Sequence, residues 1–172
     1  IGRGYESWAR EVVRLIEVNS YRLRALHLSQ SGNHADALTE INKAMGLLPS
    51  LGAGFIKAEL SVTLSALQLR AGQFDAALDT ARKVATTEND PLLKLAASRA
   101  VGDAALAKKA FPLAVEAYGT ALAAAVGRND PYQVSMAQLG LARAYRASAR
   151  DADAIAELGK AIAGLESLRG SA

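Results

Sequence analysis

Residues 30–49, QSGNHADALTEINKAMGLLP, set out a pattern that the chain uses four times. A glycine turn is followed by a short polar step, an alanine five residues after the glycine, then Ile41, Ala44 and a closing Pro49. The same order returns as AGQFDAALDTARKVA from Ala71, KAFPLAVEAYGTALA from Lys109 and ARDADAIAELGKAIA from Ala149. The shared alanines are Ala37, Ala77, Ala114 and Ala154, spaced 40, 37 and 40 residues apart. Self-similarity at such a period marks a repeat solenoid, in which one unit cannot bury its apolar face alone and stacked neighbours bury it together.

Composition points the same way. Of 172 residues, 37 are alanine, whereas aromatics make up only 5%. Alanine is the best helix former and the smallest core residue, so this balance favours helices packed at close range. The class is all-α. The length suits one short repeat array, residues 1–172, with no second domain.

Function classes narrow as well. The formal charge of +3 supplies no dense basic stripe, so nucleic acid is not an expected partner. The absence of cysteine removes disulfides and thiolate chemistry. No apolar run reaches the ~18–20 residues of a membrane span. The chain begins at Ile1, which reads as a processed form or a segment of a longer protein. Its alanine and arginine content suits a GC-rich bacterial genome, and the cytoplasm is the expected compartment.

Helical periodicity and stop signals divide the chain into eight helices. Residues 1–4 read as a frayed terminus, and Tyr5–Gln30 as one long helix with an apolar stripe of Trp8, Val12, Leu15 and Ile16. Gly32 suits the left-handed position after it. His34–Leu47 follows, with Leu38, Ile41 and Met45 inward; Pro49–Gly54 is a break. Ala53–Ala71 buries Ile56, Leu60, Leu64 and Leu67, and Gly72 repeats the role of Gly32. Further helices are expected over Phe74–Thr87, Pro91–Lys108, Phe111–Val126, Pro131–Ala147 and Asp151–Leu168, with a loose tail at Arg169–Ala172. The triplet Asn-Asp-Pro occurs at residues 89–91 and 129–131, placing a capping aspartate before a first-turn proline each time.

These copies resemble the tetratricopeptide repeat (TPR), a helix-turn-helix unit. Its small helix-A residue corresponds to Ala25, Ser65, Gly102 and Ala142, and its early helix-B alanine to Ala37, Ala77, Ala114 and Ala154. The next motif position carries Ile41, Ala81, Tyr118 and Leu158, and the one after it Ala44, Val84, Ala121 and Ala161. The helix-A tryptophan position departs from the family, holding Tyr21, Ser61, Ser98 and Gln138. A period near 40 instead of the usual ~34 is similar to the longer-repeat members. The resemblance implies a right-handed α-solenoid of four hairpins, residues 14–50, 53–89, 91–128 and 131–168, preceded by a helical extension over residues 5–17.

No catalytic constellation is legible. No serine or threonine lies in an elbow or triad motif, and no glycine pair belongs to a phosphate loop. His34 reads as a packing residue at the start of a helix B, and His27 does not complete a metal site. The carboxylates Asp75, Asp79, Glu116, Asp151, Asp153 and Glu157 read as a solvated helix-B face. The expectation is a non-catalytic chain without cofactor or metal.

The resemblance implies that a protein or peptide partner binds along the helix-A surface. Carried over position by position, the groove comprises Asn19, Arg22, Leu23, Leu26 and Gln30, then Glu59, Val62, Thr63, Ala66, Leu69 and Arg70. It continues with Arg99, Asp103 and Leu106, and ends with Met136, Leu139, Arg143 and Arg146. Arginines around an apolar floor suit a segment bearing carboxylates, because the guanidinium fork donates two parallel hydrogen bonds. Two other roles stay open: a regulatory or sensor region of a larger signalling or transcription protein, and a structural scaffold that forms a homodimer through its terminal helices.

Overall fold

The shared alanines mark where helices touch. In the computed structural model, which describes residues 2–48 and 54–170, Ala37, Ala77 and Ala114 have no solvent exposure and Ala154 very little. The small helix-A residues Ala25, Ser65, Gly102 and Ala142 are buried too. A methyl group or less at both facing positions lets two helix backbones approach closely, which fixes the packing of each hairpin.

Eight helices are described: α1 (Gly2–Gln30), α2 (His34–Leu47), α3 (Gly54–Arg70), α4 (Phe74–Thr87), α5 (Pro91–Ala107), α6 (Phe111–Gly127), α7 (Pro131–Ala147) and α8 (Asp151–Gly170). Three match the sequence-derived bounds at both ends. Two terminal expectations are corrected. Residues 2–4 belong to α1, because first-turn residues donate no intrahelical bond and glycine costs little there. Arg169 and Gly170 continue α8; no stop signal precedes Gly170, and a cation in the last turn complements the helix dipole. Ile1, the closing Pro49, most of the break after it and the last two residues lie outside the described residues.

The turns use one device. Gly32 and Gly72 have φ of 84° and 75°, and Lys109 and Ala149 take the same left-handed conformation at 59° and 58°. The next residue donates its N–H back across the turn: Asn33 to Leu28, Gln73 to Gln68, Ala110 to Ala105 and Arg150 to Tyr145. Those bonds satisfy carbonyls that the helix end leaves open. Asp90 accepts from the N–H groups of Leu92 and Leu93, and Asp130 from that of Gln133, as expected of N-caps ahead of Pro91 and Pro131.

The helices fall into two compact units, residues 1–73 and 74–172. In the first, α1, α2 and α3 pack around Val18, Ala25, Ile41, Ala44, Leu60 and Leu67. The stripe of Trp8, Leu15 and Ile16 lies ahead of this core and is exposed. In the second, α4 to α8 pack in succession, with α5 also touching α7. Tyr118 of α6 is the bulkiest fully buried side chain described. Its ring occupies space left by two glycines: a Cβ at Gly102 would stand 2.8 Å from it, and one at Gly140 2.4 Å.

Candidate binding surface

The groove residues of the first unit largely engage one another. Arg22 donates to Asn19 Oδ1 from Nε and Nη2, at 3.2 and 3.0 Å, and to Glu59 Oε1 from Nη1 at 2.9 Å. This ties α1 to α3 through three expected groove positions. Both charged partners are partly solvated, so the pair is worth about 1 kcal/mol or less. Arg70 reaches the buried Ser29 hydroxyl at 3.4 Å. Leu26, Val62 and Leu69 are half-buried. Leu23 is exposed and shares a shallow depression with Arg24, His27 and Leu28, on the side where Arg24 reaches Glu40 of α2.

The second unit holds a wider opening. A cleft of about 890 Å³ is lined by Leu106 of α5, Lys109 and Phe111 at the next turn, and Leu139, Arg143 and Arg146 of α7. Asp151, Ile155 and Leu158 of α8 complete its wall. Four of the expected groove residues, from two different hairpins, are thus brought together: Leu106, Leu139, Arg143 and Arg146. Three basic residues face one carboxylate, Asp151, around an apolar floor.

A polar network flanks this cleft. The Tyr118 hydroxyl donates to Asp103 Oδ1 at 2.6 Å, and Arg143 Nη1 lies 3.5 Å from the same oxygen. Burial pushes the Tyr118 phenol far up from its ordinary range, and the Asp103 charge adds to the rise; Arg143 and Arg99 oppose it. Tyr118 therefore stays a neutral donor and holds Asp103 in place. Asp103 in turn aims Arg143, which keeps more than half of its side chain in solvent. Arg99 donates to Gln133 Oε1 at 2.8 Å, an engagement within the unit and outside the cleft lining.

Sequence reasoning missed Lys109, Phe111, Ile155 and Leu158 as cleft residues, because only helix-A positions were carried over. It also missed Gln133 as the partner of Arg99, and the role of Gly140. A glycine inside a helical pattern signals close approach of another group, which is what Tyr118 makes of it. On the carboxylate face, Lys108 bridges to the exposed Asp75 and Arg150 to Asp153 at 2.7 Å, but Glu157 departs from the solvated reading: its side chain is only 15% exposed and receives Lys160 Nζ at 2.7 Å. Among the described residues there is no cluster of three or more His, Cys, Asp or Glu side chains that could hold a metal, and no helix is long and apolar enough to cross a membrane.

No protein-family model matches the chain, and no curated protein matches it in sequence. Among solved structures, the chain is similar to aspartyl phosphate phosphatase F from Bacillus subtilis, with a TM-score of 0.80 and 18% sequence identity. The likeness covers 93% of this chain and 43% of the other, so the chain spans less than half the length of that protein. At this identity the match speaks to fold alone, and the fold is an all-α, TPR-like helical repeat.

Proposed function

We propose that the chain is a protein-interaction module that takes a short peptide segment carrying carboxylates and apolar side chains. The supporting observation is the cleft of the second unit, where Leu106 and Leu139 form an apolar floor beside Arg143, Arg146 and Lys109. A guanidinium oriented by a fixed carboxylate is preorganised, so little freedom is lost when it receives a partner's carboxylate. The binding contribution is chemical recognition; no group in the cleft forms a nucleophile–base pair, and the reading is non-catalytic.

The test uses 12-residue peptides selected from a displayed random library against the full chain, then labelled with fluorescein for anisotropy. Selected peptides are expected to combine Asp or Glu with Leu, Ile or Phe. Arg143→Glu with Arg146→Glu is expected to weaken their binding at least about 30-fold, the scale of two lost charge-assisted hydrogen bonds, with helical content unchanged. Unchanged affinity in the double variant, or selected peptides without acidic residues, would overturn the reading. A second reading, a regulatory region working beside other domains, draws support from the length relation above, since the similar phosphatase chain is more than twice as long.

A further inference from the structure

Each helix B except the last has its outer face covered. Counting from the shared alanine, positions +1, +4, +8 and +11 are Leu38, Ile41 and Met45 on α2 with Leu48 just past its end; Leu78, Ala81 and Ala85 on α4 with Glu88 just past its end; and Val115, Tyr118, Leu122 and Ala125 on α6. All twelve are buried or half-buried. Helices α3, α5 and α7 pack on α2, α4 and α6 in turn. On α8 the same positions are Ile155, Leu158, Ile162 and Leu165, and they are 72%, 42%, 48% and 38% exposed.

The α8 stripe also departs from its three counterparts at both ends. Three residues before the shared alanine stand His34, Phe74 and Phe111, but Asp151 on α8. Helix α8 runs on to position +15, Arg169, beyond the ends of the other three. Asp151, Ile155, Leu158, Ile162, Leu165 and Arg169 are therefore spaced 4, 3, 4, 3 and 4 residues apart. At 100° per residue they fall within one stripe about 80° wide. This spacing reads identically in both directions and is that of a coiled-coil seam. Besides the alternation of isoleucine and leucine, its end charges give it polarity, acidic at one end and basic at the other.

From this geometry we infer that the α8 stripe pairs with the α8 stripe of a second copy of the chain, antiparallel. In that arrangement Ile155 faces Leu165 of the second copy, Leu158 faces Ile162, and Asp151 meets Arg169 at both ends of the seam. A parallel pair would set Asp against Asp and Arg against Arg. A further repeat helix laid on α8 would also cover its apolar centre, and a chain that stays monomeric points to that occupant instead. The seam shares Asp151, Ile155 and Leu158 with the wall of the peptide cleft, whereas Ile162 and Leu165 lie outside it, so substitutions at those two residues test the seam without altering the cleft.

Sedimentation equilibrium of the full chain over a wide concentration range tests it. The expected result is a monomer–dimer equilibrium, with Ile162→Glu plus Leu165→Glu raising the dissociation constant at least about 100-fold while helical content holds. Asp151→Arg alone, or Arg169→Asp alone, is expected to weaken the dimer about 5- to 10-fold, and the two together to restore it. The paired reversal separates seam pairing from the helix dipole, because it opposes the dipole at both ends yet re-forms the ion pairs. A monomer at all concentrations up to about 1 mM, a dimer indifferent to the glutamates, or a paired reversal that fails to restore association overturns the inference.

Discussion

Tyr118 is where packing and polarity meet. Its ring needs the absence of a Cβ at Gly102 and Gly140, and its hydroxyl needs Asp103. The folded state holds this phenol's pKa above its unfolded value, so the linked stability is fully present below pH ~10 and is lost as pH rises beyond it. Thermal melts between pH 8 and 11 are expected to show that alkaline loss, and Tyr118→Phe to flatten it. The same variant lowers stability near neutral pH by about 1–2 kcal/mol, because Asp103 loses a donor. An alkaline slope unchanged in Tyr118→Phe would assign the loss elsewhere.

At the level of elements, the four hairpin turns share a left-handed residue but not a residue type. Glycine adopts that conformation without a Cβ penalty, whereas alanine at position 149 carries a cost on the order of 1 kcal/mol. Ala149→Gly is expected to raise the melting temperature by about 1–4 °C; Gly32→Ala and Gly72→Ala are expected to lower it. A fall in Ala149→Gly would mean that chain entropy outweighs the turn strain. These turns also explain how much of the element plan was legible. Gly32, Gly72 and the Asn-Asp-Pro triplets announced boundaries directly. Lys109 and Ala149 announced nothing, and those turns were placed only because the repeat demanded them. The ends of α1 and α8 escaped the reading because fraying was assumed where no stop signal stood.

For the molecule as a whole, stability in a repeat array is carried by neighbour interfaces, so damage should stay local. Gly140→Ala forces a methyl into the Tyr118 ring and is expected to cost about 1–3 kcal/mol. Hydrogen exchange should then show lost protection across α5 to α8, with α1 and α2 unaffected. Equal loss in both units would contradict local coupling. The candidate site was only partly visible beforehand for a related reason. Positions along helix A can be counted from a motif, but which charges cancel depends on what the next helix brings. Arg22 was expected at a partner surface, and Glu59 of α3 occupies it. Arg143 was expected there too, and Asp103 holds it while leaving it half in solvent.

By itself the sequence determined the all-α repeat: alanines at a constant interval, turn residues before them and caps after them. Those signals are local or periodic, and each acts within a few residues of where it is written. The tertiary structure alone decided which side chains share a cleft, which ion pairs close, and which apolar stripe stays bare. Exposure and pairing are properties of the neighbour that arrives, and nothing in a helix's own sequence records whether one does. The pattern from Gln30 to Pro49 thus specifies how a hairpin packs. The stripe from Asp151 to Arg169 shows where the pattern changes, at the one helix B whose outer face the described residues leave uncovered.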